Sequence, residues 1–127
     1  MTKTFASLDY VTLRDDPSAT SGLLTVLGLG PWDGQGAVLP LEGMRAVMRA
    51  GSNATLFLAG DGVAWAVPTP RAEITELAEL GATVMVDQWS ARQRGLDDLG
   101  DSERISWASP IDIAGLVADP DTTVVWR

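Results

Sequence analysis

Two aspartates stand where short apolar runs of the sequence end, and their carboxylates are the first groups that could do chemistry. Asp61 follows the run ATLFLA, and Asp87 follows the run ATVMV. Two neighbouring carboxylates can divide the roles of acid and base between them, or hold a hard cation such as Mg²⁺. Two carboxylates without a phosphate ligand make a weak metal site, so we expect no metal and name Asp61 and Asp87 as catalytic candidates only.

Both aspartates also have a structural interpretation. Asp61 lies between two glycines, where aspartate suits a turn. Asp87 could cap the helix that follows it, or form an ion pair with Arg94. Arg92 and Arg94 fall near the start of that predicted helix, where an anion would be favoured.

Tryptophans gather near the same predicted strand ends. The chain has five tryptophans in 127 residues, and Trp32, Trp65 and Trp89 all follow apolar runs. Tryptophan is enriched in interfaces and pockets, but it also caps cores locally. We therefore expect a ligand-binding set at these strand ends that consists of Trp32, Asp61, Gly62, Trp65, Asp87, Trp89, Ser90 and Arg94.

Composition excludes several classes of function. The chain has no cysteine and no histidine, so thiol catalysis, disulfides and a Ser-His-Asp triad are impossible. A net charge of −8 argues against nucleic acid and against anionic membrane surfaces as partners. The segment GLGPWDGQG lacks the Gly-Lys-Ser/Thr ending of a phosphate-binding loop. We expect a cytoplasmic protein without a cofactor.

Five apolar runs must provide the framework that positions these residues. They occupy residues 23–29, 54–59, 82–86, 105–108 and 122–126, and three of them are apolar almost throughout. Such runs are typical of strands buried on both faces, which usually means parallel strands joined by helices. The pattern predicts a three-layer α/β sandwich with a mostly parallel five-stranded sheet. We expect one domain over residues 22–127, preceded by an arm or extra strand over residues 1–21.

Cap residues predict where the intervening helices begin. Three starts are indicated, at Thr69-Pro70, at Ser90-x-x-Gln93 as a capping box, and at Ser109-Pro110-x-Asp112. The first helix of the domain is expected to begin near residue 40, because Pro40 and Gly43 disfavour an earlier start.

Three segments in this order resemble the DsrE/DsrF-like family, which includes sulfur-relay subunits. They are LLTVLGLGPWD, ATLFLAGDGVAWAV and ELGATVMVDQWSARQRGL, and the resemblance covers about residues 22–127. The most specific pieces are Gly60-Asp61-Gly62-Val63 and Ser90-Ala91-x-x-Arg94-Gly95-Leu96. The resemblance implies a small α/β domain that forms homotrimers or hexamers. It also implies a pocket near subunit boundaries, at the ends of strands two and three.

One departure from the family changes the expected function. Sulfur-carrying members hold a cysteine where this chain has Asp87, and a carboxylate cannot carry a persulfide. We therefore expect an oligomeric subunit that binds a small molecule or a protein and does not relay sulfur itself. An acidic pocket would favour a cationic or neutral ligand. Two alternatives remain open: a carboxylate enzyme that uses Asp61 and Asp87, and an accessory subunit beside a cysteine-bearing paralogue.

Overall fold

The computed structural model describes residues 22–96, 98–99 and 104–127, and the predicted arm over residues 1–21 lies outside them. Five strands form one sheet: β1 (Gly22–Leu27), β2 (Asn53–Leu58), β3 (Thr83–Asp87), β4 (Ile105–Ala108) and β5 (Thr122–Trp126). Four α-helices connect them: α1 (Gln35–Arg49), α2 (Ala72–Glu79), α3 (Gln88–Gln93) and α4 (Pro110–Ala118). A 3₁₀ helix, Gly60–Trp65, follows β2.

The sheet has the order β4-β3-β2-β1-β5, and each of these neighbouring pairs is parallel. The predicted α/β class is therefore confirmed, with the sheet parallel throughout its described strands. Parallel strands need a crossover between them, so their carboxyl ends, and the loops that follow, lie at one edge of the sheet. The segments that carry the predicted site residues follow those ends.

Apolar side chains on the two faces of the sheet form two separate cores. The larger core joins the sheet to α1, α2, α3 and the 3₁₀ helix, through residues such as Leu27, Leu58, Val86, Leu41, Met44, Ile74, Leu77, Val63 and Ala91. The smaller core joins Leu24, Phe57 and Val124 to Ile113 of α4. Within the described residues, three α-helices thus pack on one face and one helix packs on the other.

The first helix begins earlier than the sequence predicts. α1 starts at Gln35, and Pro40 lies inside it. A proline at this depth removes one backbone hydrogen bond. Pro40 is nevertheless buried together with Ala37 and Leu41, so the packing of this face outweighs the lost bond.

Two of the three predicted helix starts are displaced. α2 begins after Arg71, whose N–H donates to the carbonyl of Trp65 and holds the chain extended beyond Thr69. The capping box predicted at Ser90 is wrong, because Asp87 caps α3 three residues earlier. α4 begins as predicted, with Ser109 as the N-cap and Pro110 in the first turn.

Gly62 allows the 3₁₀ helix to approach the end of β1. A Cβ at this position would overlap the carbonyl oxygen of Leu27. That oxygen already accepts a hydrogen bond from Ala59, so the backbone there has little freedom to move. The residue type at position 62 is therefore explained by packing, and a ligand contact of Gly62 stays a prediction.

None of the helices in the described ranges is both long and apolar enough to cross a membrane.

We expect Gly62→Ala to destabilise the fold by about 1–3 kcal/mol, since overpacking against fixed backbone forces a displacement. Gly115→Ala is the matched control, because that helical glycine has open space around its Cβ position. The control should gain up to about 1 kcal/mol from helix propensity. Urea unfolding followed by circular dichroism measures both. Equal effects of the two substitutions would contradict the close approach at Gly62.

Candidate functional site

The connections that leave β3 and β4 go to opposite faces of the sheet. α3, which follows β3, places Ala91 in the larger core, whereas α4, which follows β4, places Ile113 in the smaller one. Since β3 and β4 are neighbours, the segments that follow them diverge at the carboxyl ends of these two strands. Such a switch point is where open α/β sheets generally bind ligands.

A cavity of about 340 Å³ lies at this switch point. Asp87, Trp89 and Arg92 line it from the side of β3 and α3. Trp107, Ser109 and Asp112 line it from the side of β4 and α4. Two aromatic rings, two carboxylates and one guanidinium group therefore surround a space of metabolite size, for which about 300–1,000 Å³ is typical.

The carboxylate of Asp87 is the most buried charged group of this cavity, with only 6% of the residue exposed. Its Oδ2 accepts hydrogen bonds from the backbone N–H of Ser90 at 3.2 Å and from the Ser90 hydroxyl at 2.5 Å. Its Oδ1 is buried and has no hydrogen-bond partner among the residues that the structure describes. The predicted cap is confirmed, and the second oxygen of the carboxylate remains without a hydrogen-bond donor.

Ser90 connects Asp87 to the loop after β2. While its hydroxyl donates to Asp87, it also accepts a hydrogen bond from the backbone N–H of Gly60 at 2.9 Å. The ends of β2 and β3 are thereby joined through one buried side chain. Ser90 does not line the cavity, but it fixes the orientation of the carboxylate that does.

Arg94 pairs with Asp61, so the predicted alternative of a pair with Asp87 is wrong. Its Nε and Nη2 donate to Asp61 Oδ1 at 3.1 and 3.0 Å, and its Nη1 donates to the Ser90 carbonyl at 3.0 Å. Asp87 instead caps α3, where its side chain accepts from the Ser90 N–H. The Asp61 side chain is 50% exposed and that of Arg94 is 34% exposed, so solvent screens their pair.

The three predicted tryptophans lie in different environments. Trp65 is buried in the larger core, and its indole N–H donates to the Leu29 carbonyl at 3.0 Å. Trp32 is exposed and its ring covers Gly30. Only Trp89, which is 69% exposed, lines the cavity. Of the eight predicted residues, the cavity therefore contains Asp87 and Trp89, with Ser90 behind them.

Sequence reasoning missed the side of the cavity that β4 and α4 provide. Trp107 is a half-buried residue of β4, and Asp112 accepts a hydrogen bond from the Ser109 N–H at 2.8 Å. The cap at Ser109 was recognisable from the sequence. Its position beside β3 depends on strand order, which no local motif reveals.

The metal-dependent alternative gains no support from the geometry. Across the described ranges, no group of three or more histidine, cysteine, aspartate or glutamate side chains could hold an ion. One oxygen of Asp61 and one oxygen of Asp87 are already bound to Arg94 and Ser90.

No family model matches the sequence, and no curated protein matches it. Among solved structures, the chain is similar to the YchN protein from E. coli, with a TM-score of 0.61 and 15% sequence identity. The similarity covers 84% of this chain and 99% of that chain. YchN has a DsrE/DsrF-like fold, and the present chain shares that fold.

Ser90→Ala should destabilise the protein by about 1–3 kcal/mol, because it removes the acceptor for Gly60 N–H and one donor to Asp87. Ser106→Ala is the control, since Ser106 is exposed on β4 and should change stability by less than about 0.5 kcal/mol. Thermal and urea unfolding provide the comparison. A loss at Ser90 no larger than at Ser106 would show that the connection is not formed.

Asp61→Asn should cost less than about 1 kcal/mol, because its pair with Arg94 is largely solvated. The loss should shrink further in 1 M salt, where the screening length is about 3 Å. Glu42→Gln controls for the change in net charge, because Glu42 is exposed and forms no ion pair with the described residues. A double-mutant cycle with Arg94→Gln isolates the coupling energy, and a value above about 2 kcal/mol would contradict a solvated pair.

Proposed function

We propose that the protein binds a small molecule in the cavity between the carboxyl ends of β3 and β4. The observation that carries this proposal is the unpaired Oδ1 of Asp87, a buried acceptor in a residue that lines the cavity wall. A buried acceptor without a donor costs about 1–3 kcal/mol, and a ligand that supplies the donor would recover part of that cost.

The surroundings of Asp87 support the same proposal. Trp89 and Trp107 provide apolar area on two sides of the cavity, and Arg92 and Ser109 provide polar groups. Small-molecule sites combine apolar surface with a few convergent polar groups, and polar and apolar residues contribute about equally to the lining here. Its place at the switch point of the sheet is an independent argument for binding there.

We propose that the protein is a DsrE-like protein that does not use thiol chemistry. The chain has no cysteine, so it does not carry a persulfide itself. The shared fold with YchN and the motifs around Asp61 and Arg94 support this assignment.

We also propose that the protein forms a homotrimer or a hexamer in the cytoplasm. Large apolar side chains at Trp32, Leu39, Leu80 and Ile111 are between 41% and 80% exposed, which is consistent with surfaces that associate. The resemblance to the DsrE/DsrF-like family is the source of the proposed number of copies.

Binding can be tested with the indole N–H signals of the tryptophans in ¹⁵N-labelled protein, during a screen of small polar compounds. At least one compound should shift the signals of Trp89 and Trp107, whereas the signal of buried Trp65 should stay in place. Asp87→Asn should weaken that binding at least tenfold, because the amide carries no charge. Glu42→Gln should bind as the wild type does.

Absence of any shift at Trp89 and Trp107 across the screen would contradict the proposed function. Binding that survives unchanged in Asp87→Asn would contradict the role of the carboxylate. Native mass spectrometry of the same sample gives the number of copies, and a monomer at micromolar concentration would contradict the proposed assembly.

A further inference from the structure

Three charged side chains line the cavity, and they differ in what they are already bound to. Asp112 Oδ2 accepts from the Ser109 N–H at 2.8 Å and from the Ser109 hydroxyl at 3.4 Å, so this carboxylate serves the cap of α4. Asp87 has one oxygen without a donor. Arg92 is exposed, and its guanidinium group forms no ion pair or hydrogen bond with any residue that the structure describes.

The cavity therefore presents a ligand with two carboxylates, Asp87 and the cap residue Asp112, and one cationic group, Arg92. A purely anionic ligand would approach the buried Asp87 carboxylate unfavourably. A purely cationic ligand would suit Asp87 but would oppose Arg92. A neutral ligand would leave both charges without a counter-charge. A molecule with one group of each sign satisfies both side chains.

The tryptophans favour an ammonium group for the positive end. Trp89 and Trp107 line the cavity together with Asp87. An indole ring is the best aromatic partner for a cation, worth about 0.5–2 kcal/mol as the site becomes drier. An ammonium group has three donors, so it can be directed to the Asp87 carboxylate and still lie against a ring.

The guanidinium of Arg92 favours a carboxylate for the negative end. Its planar group can hold a carboxylate through two parallel hydrogen bonds. Asp87 and Arg92 stand five positions apart, at the start and in the last turn of α3. Both side chains line the same cavity, and the long Arg92 side chain can bring its guanidinium group toward a ligand held near Asp87.

We infer that the ligand of this cavity is a small zwitterion with a primary ammonium and a carboxylate, as in an amino acid. The inference rests on the proposed binding function and specifies its ligand class. Asp87 binds the ammonium, Arg92 binds the carboxylate, and Trp89 and Trp107 cover the apolar part. The cavity of about 340 Å³ is near the lower end of the range for ligand sites, which suits a molecule of this size.

The test titrates the twenty standard L-amino acids one by one into the wild-type protein, with the indole signals of Trp89 and Trp107 as the readout. The tightest binder is then compared with the amine that lacks its carboxylate and with the acid that lacks its ammonium. We expect the amino acid to bind at least tenfold more tightly than either analogue. Asp87→Asn should abolish the advantage over the acid, and Arg92→Gln should abolish the advantage over the amine.

Arg49→Gln is the matched control, because Arg49 is an exposed arginine at the end of α1 and does not line the cavity. It should leave all affinities unchanged. Arg92 is exposed, so its substitution should preserve the fold even if Asp87→Asn unfolds the chain.

The outcomes separate this inference from the proposed function. Should other compounds shift the two indole signals while no amino acid does, the zwitterion is wrong and the binding site stands. An amine that binds as tightly as its amino acid, with no effect of Arg92→Gln, also overturns the inference. If no compound of any kind shifts the signals, both proposals fail.

Discussion

Parallel pairing of all five described strands is the constraint on which the other features of this fold depend. A parallel pair cannot be closed by a tight turn, so each strand must be followed by a crossover on one face or the other. Three crossovers pack on the larger core and the last packs on the smaller one. The connection after β3 packs on one face of the sheet and the connection after β4 packs on the other. The cavity forms where these two segments diverge.

Asp87 stands at this point, and its two oxygens differ in their partners. One oxygen completes the N-terminus of α3, which has few other means to satisfy its first N–H groups. The other oxygen remains unpaired although it is buried, an arrangement that is rare in folded proteins. Ser90 holds the carboxylate in this orientation and connects it to Gly60, so the end of β2 also supports the site.

The sequence is sufficient to predict the strands and the parallel class, because both depend on local apolar content. Pro40 inside α1 shows the limit of that approach, since burial of its neighbours outweighs a local penalty. The sequence offers both Asp87 and Ser90 as N-caps of α3, and their local patterns do not decide between them. The structure uses Asp87. The sequence does not place Trp107 and Asp112 in the site, because they are far from Asp87 along the chain. Only the pairing of β3 with β4 brings them beside it.

The hydrogen bonds that join Asp87, Ser90 and Gly60 have a consequence for the evolution of the chain. A substitution at position 87 changes what the hydroxyl at position 90 can bond to, and the reverse also holds. The two positions are thus expected to show epistasis: a residue accepted at one depends on the residue present at the other. A new chemical group at the end of β3 would accordingly require a compensating change in the first turn of α3, and the route to a different activity at this site would pass through paired replacements.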